Sequence, residues 1–330
     1  PPPQKPAAPV DDAPQPLSLA QHLGPLHDAF RKILARPYAE ATGTELGEPA
    51  WDGSLDALRQ IATDKKADLA LVDGPTLAAG CKAQIFDKPD WTALRRERFL
   101  PQAAKDCGAG AFITATILAW DSQKLQSTPS WADFWDVAKH PGRRGLQRVA
   151  RKNLEIALMA DGVSPSDVYR MLRDAGGVDR AFRKLDQLKP YIEWWDQPGQ
   201  PAQFLAAGKV LLTSAPAVPW PAGGHMHVGV QWSASLNETQ YWAILHDPAH
   251  PRAATAEIEI ATDAARQALF AGATGLGPST SAGVALLPAA LRVQSPALPA
   301  NLQAGLAIDE GFWLENGEKL EARFAAWLAK

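Results

Sequence analysis

The sequence has no apolar run close to the ~20 residues that a membrane-spanning helix needs. The longest, around Ala111–Trp120, is strand-sized. It also lacks an excess of either charge: 33 Lys and Arg stand against 36 Asp and Glu, for a net charge of -3. Without a basic surplus to neutralise a phosphate backbone, nucleic acid is not an expected partner. Cysteine is scarce. Cys81 and Cys107 are the only two, and neither has a second Cys or a His at zinc-ligand spacing, so no structural metal is expected. By itself the pair leaves three readings open: two buried thiols, a catalytic thiol, or one disulfide. G-x-S-x-G, H-E-x-x-H and the P-loop are all missing, and the Gly275-Leu-Gly277-Pro stretch is a turn without a βαβ frame around it. Neither catalysis nor a bound cofactor is therefore expected.

What the chain does contain is an ordinary globular composition in 330 residues, 46% apolar and 21% charged, enough for two lobes. Trp stands out: there are 12, against 4 Tyr. Residues 1–17 hold seven prolines, which exclude helix and central strand and read as an extended tether. The start without Met or signal peptide reads either as a processed N-terminus or as a cloning boundary. From there helix and strand signals alternate. A helix is predicted over Pro25–Thr42 with Gly43 as its stop, a strand over Leu46–Trp51, and a helix over Ser54–Ala62 capped by Ser54. The run Ala67–Val72 reads as a strand that ends at Asp73-Gly74, followed by a short helix over Thr76–Gly80. Further on, strands are expected at Ala111–Trp120, Ile192–Trp195, Val210–Ser214, Val228–Trp232 and Tyr241–Leu245. Helices are expected at Asn153–Asp161, Val178–Leu188 and Pro201–Ala207, with one long Ala-rich helix over 253–271 and two more over Asn301–Ala329. Pro216–Gly224 is a loop. The pattern implies an α/β layered fold with parallel pairing.

Several segments in order resemble one family. SWADFWDVAKHPGRRGL (Ser130–Leu146), LEIALMADGVSPSDVY (Leu154–Tyr169), the stretch Gly176–Ala215, LGPST (Leu276–Thr280) and the tail GFWLENGEKLEARFAAWL are similar to bacterial extracellular solute-binding proteins of the spermidine/putrescine type, which serve ABC importers. The resemblance implies a two-lobe periplasmic-binding fold (type II), each lobe a β-sheet flanked by helices. Lobe one would be residues 18–112 and 243–300 and lobe two 113–242, with crossings near Ala111–Thr114 and Gln240–Ala243. The helices of 301–330 would brace the lobes. It implies an exported, periplasmic monomer with its signal peptide removed. Its partners would be a small-molecule solute and an inner-membrane ABC permease. A sensor or accessory binding protein of the same fold is the alternative. Because exported proteins meet an oxidising compartment, and because the segments around Cys81 and Cys107 resemble the family's, a disulfide between them is expected.

For the ligand site the resemblance implies Trp51, Asp73, Thr114, Trp195, Trp232, Gln240 and Trp242. Some have a plainer reading: Asp73 as a turn residue, Trp51 as core, one of Trp194 and Trp195 as core by strand alternation. Glu155 is read as complementing its helix dipole. The basic stretch Arg143-Arg144, Arg148, Arg151-Lys152 is read as a solvated face that could meet an anion. His225-Met-His227, His246 and His250 are read as loop histidines. Departures from the family pattern set the ligand expectation. The acid expected one residue before Tyr241-Trp242 is Gln240, and the expected polar turn after Leu212-Thr213 is Pro216–Pro219. A buried ammonium needs an ionised partner. With Asp73 and either Glu193 or Asp196 left to supply one, the expectation is a singly charged amine, a zwitterion such as an amino acid, or a neutral solute, rather than putrescine or spermidine.

Overall fold

A computed structural model describes residues 17–218 and 227–330. Most of the Pro-rich tether, the turn beyond Val218, and His225 lie outside the described residues. Eight strands form the path of one mixed sheet: β1 (Leu17–Ala20), β2 (Leu46–Gly47), β3 (Leu69–Asp73), β4 (Gly108–Asp121), β5 (Arg144–Gln147), β6 (Ile192–Trp195), β7 (Leu212–Pro216) and β8 (Val228–Leu245). Their order is β2-β1-β3-β8-β4-β7-β5-β6, with four two-residue strands attached to β4 and β8. The outer groups pair in parallel, β1 with β2 and β3 on one side and β5 with β6 and β7 on the other. The central strands are antiparallel to each other and to their neighbours. β3 is buried on both faces, which is why ADLALV reads as an unbroken apolar run instead of an alternation.

The two segments expected at Val228–Trp232 and Tyr241–Leu245 are the ends of a single strand, β8. It pairs with β4 twice, with a register shift between Gln231 and Leu236. Polar residues interrupt the apolar pattern there, so the sequence reads as two strands. The long helix expected over 253–271 is two, Pro251–Ala261 and Ala264–Thr274. Asp263 separates them because its carboxylate accepts the Ala265 and Arg266 N–H groups and starts a new helix. The predicted helix ending at Gly43 is present, with one π-type turn at Arg31–Ala35 just ahead of Pro37. A mid-helix proline removes a hydrogen-bond donor, and the wider turn absorbs the mismatch.

The molecule has two main apolar cores. One packs Leu19, Phe30, Leu71, Phe112, Trp242 and Ile258. The other packs Phe134, Leu158, Phe182 and Leu212 and also takes Phe312, Phe324 and Trp327 of the closing helix Glu310–Leu328. That helix also crosses the helix Gly74–Lys82 so closely that a Cβ at Gly74 would lie 2.3 Å from Glu310. Cys81 and Cys107 are joined in a disulfide with Cα atoms 6.0 Å apart, tying that helix to the start of β4. No helix among the described residues is long and apolar enough to cross a membrane.

Candidate functional site

A cleft of about 760 Å³ opens over the C-terminal ends of β3, β5 and β6, and β8 runs across its floor. In mixed α/β sheets this end of the strands gathers ligands, because loops there converge without blocking the sheet. Asp73 is the last residue of β3 and caps the following helix, its Oδ1 accepting the Thr76 N–H at 3.0 Å. Gln240 lies directly opposite it on β8. Two residues earlier, on the same face of the strand, is Glu238. From the loop after β5 come Arg151 and Lys152.

These four charged groups are paired inside the cleft. Arg151 Nη1 is 3.2 Å from Asp73 Oδ2, and Arg151 Nε is 3.5 Å from Glu238 Oε1. Lys152 Nζ lies 2.8 Å from Glu238 Oε2. Burial alone would raise the Asp73 carboxyl, but the Arg151 guanidinium and the Thr76 hydrogen bonds outweigh it and hold it below the usual carboxylate range. Glu238 follows the same logic: burial raises it, and Lys152 and Arg151 bring it down below the ordinary value. For Arg151, burial opposes the charge, while Glu238 and Asp73 more than compensate and push the guanidinium upward. Lys152 is held at φ +82, a left-handed conformation that disfavours any side chain. Its N–H donates to Glu155 Oε2 at 2.8 Å, which anchors this strained corner.

Of the residues expected at the site, Trp51, Asp73, Thr114, Trp195 and Gln240 all line this cleft. Trp51 donates its indole N–H to the Ser54 carbonyl at 2.8 Å, so it offers the cleft a ring and no free donor. Trp195 is buried and lines the cleft, while its neighbour Trp194 turns the other way onto Phe324 and Trp327, as alternation requires. The Trp195 indole N–H has no hydrogen-bond partner among the described residues. Trp232 is not part of the cleft lining. It faces a neighbouring apolar cavity of about 300 Å³, its indole N–H 3.3 Å from Gln294 Oε1. Trp242 is 1% exposed and sits in the core against Phe30, ring centres 5.9 Å apart. It shares a strand face with Glu238 and Gln240, but the helical segment containing Phe30 covers the sheet at that point.

The acids expected to remain are elsewhere. Glu193 pairs with Arg143 and Lys209, and Asp196 with Arg148 at 3.2 Å; neither lines the cleft. Glu155 is fully buried, taking hydrogen bonds from Tyr169 at 2.8 Å and Trp313 at 2.7 Å. The residues that sequence reading missed are Glu238 and the cleft role of Arg151 and Lys152. The signal for Glu238 was its two-residue spacing from Gln240, since a strand turns both toward the same face.

Comparisons with known proteins give the family and the fold. A family model for bacterial extracellular solute-binding protein matches residues 34–300. A curated relative from Pseudomonas aeruginosa, the gamma-aminobutyric acid-binding protein, is 34% identical over 322 residues, covering 96% of this chain and 92% of its own. The solved structure of a GABA receptor superposes with TM-score 0.84 at 23% identity, covering 96% of this chain and 98% of that one. A spermidine/putrescine substrate-binding protein from Streptococcus pneumoniae has TM-score 0.76 at 15% identity, covering 95% and 99%. These solved structures carry the two-lobe periplasmic-binding fold. With a family match over most of its length and a close relative over nearly all of it, the chain belongs to the bacterial extracellular solute-binding proteins, the non-catalytic receptors that bind small solutes for ABC transporters.

Proposed function

We propose that this receptor takes a small zwitterionic amino acid of the γ-aminobutyrate class and delivers it from the periplasm to an ABC permease. One observation carries the reading: two carboxylates and two cations face one another in a single cleft, at 3.2 Å and 2.8 Å for the tightest contacts. An ammonium has Asp73 and Glu238 to meet. A carboxylate has Arg151 and Lys152. The Trp51 and Trp195 rings supply apolar walls for a short methylene stem. The name of the Pseudomonas relative supports the same solute class. A polyamine is disfavoured because its second ammonium would meet Arg151 or Lys152, with no acid left over.

The lobes implied by the sequence, 18–112 with 243–300 and 113–242, would close over the solute. The closing helix packs with the second core, which supports assigning 301–330 mainly to lobe two. Calorimetry on protein unfolded, dialysed and refolded to strip any carried solute tests the proposal. Micromolar or tighter binding of γ-aminobutyrate is expected, with putrescine and spermidine at least tenfold weaker. Tight polyamine binding without any ω-amino acid binding would overturn it.

A further inference from the structure

Arg151 is placed where a solute's amine would be expected. Its guanidinium contacts Asp73 at 3.2 Å and Glu238 at 3.5 Å, the two carboxylates in the cleft lining that an ammonium could use. Any amine that enters must therefore exchange places with Arg151. The side chain is only 29% exposed, so a guanidinium released from both acids needs another anion close by. A solute with its own carboxylate supplies one. A plain amine supplies none, and a diamine adds a second positive charge beside the displaced guanidinium. Lys152 stays on Glu238 at 2.8 Å and is fixed at a strained backbone corner, so the exchange concerns Arg151 more than its neighbour.

We propose that Arg151 is the specificity-determining residue of the cleft, surrendering its acids to a solute's ammonium only where the same solute returns a carboxylate. This rests on the amino-acid reading above and adds the reason a diamine of equal length is rejected. Three four-carbon probes separate the two charges: γ-aminobutyrate, n-butylamine and 1,4-diaminobutane. In the wild type γ-aminobutyrate should bind most tightly, butylamine roughly thirtyfold or more weaker, and diaminobutane weaker again. In Arg151→Gln the preference for γ-aminobutyrate over diaminobutane should fall by about a hundredfold, as the acids are freed and the repulsion is removed together. Arg151→Lys keeps the charge and should keep the order of the probes.

Thermal melts confirm that each variant is folded, and the wild-type series stands even if one is not. Diaminobutane binding the wild type as tightly as γ-aminobutyrate would overturn the inference. So would an Arg151→Gln ratio equal to that of the wild type. Wild-type protein that binds none of the three probes would instead overturn the proposed function itself.

Discussion

Glu257 lies on the helix Pro251–Ala261 with none of its surface exposed, and neither carboxyl oxygen has a hydrogen-bond partner among the described residues. Burial pushes its carboxyl well above the ordinary value, against a weaker pull from Arg266. Because the folded state holds this proton more tightly than the unfolded chain, stability is full below the unfolded carboxyl's range. It is then lost as pH rises through the folded value. Glu257→Gln keeps the shape without the titration. Urea unfolding at pH 5 and pH 8 should show a smaller loss of stability between the two for the variant than for the wild type. Equal losses would show that Glu257 does not titrate in this way. Asp73 and Glu238 act in the opposite direction, since their folded values are depressed: their contribution is present above the unfolded carboxyl's range and disappears on acidification.

At the scale of elements, the disulfide links the helix Gly74–Lys82, which starts at the site residue Asp73, to β4, which carries Thr114. With a sequence separation of 26, the chain-entropy model assigns it about 3.5 kcal/mol. The double variant Cys81→Ser, Cys107→Ser should unfold at a clearly lower urea midpoint with an equal or steeper urea dependence, since the unfolded chain is no longer cross-linked. An unchanged midpoint would mean that the bridge adds nothing to this fold. The closing helix is the other linking element. Lys189 donates to the Trp327 carbonyl, and the Trp327 indole donates to Asp186 at 2.7 Å, both near its C-terminal end. At its start, Glu310 accepts from Tyr241 at 2.8 Å and pairs with Lys105 at 3.1 Å. One helix thus touches β8 at its start and packs along its length on the second core.

Across the whole molecule, β4 and β8 are continuous through both halves of the sheet, so a hinge motion has to bend these two strands. The register shift between Gln231 and Leu236 and the second between Gln240 and Tyr241 lie on β8, where pairing is already irregular. A solute that binds the folded state alone, present at ~100 times its Kd, should add about 2.7 kcal/mol of apparent stability. Small-angle scattering should show compaction on adding γ-aminobutyrate if the lobes close on it. A raised melting temperature with an unchanged scattering profile would point to binding without closure.

Local pattern was enough for much of this protein. The α/β class, most strand and helix positions, the Ser54 cap, and five of the cleft residues follow from periodicity, turn chemistry and family motifs, because those signals act over a few neighbouring residues. The disulfide too was legible, from the motifs around each cysteine. What the sequence did not carry is which side chains meet across long separations. Arg151 reaches Asp73 over 78 positions, and Trp313 reaches Glu155 over 158. Arg151 and Lys152 read as a solvated face because the carboxylates their side chains pair with, Asp73 and Glu238, lie far away along the chain. Trp242 read as a ligand wall because nothing beside it announces the helical segment that covers it. The content of the cleft was decided by tertiary structure, since charge pairing and burial depend on distance in space, and spacing along the chain fixes that only within one element.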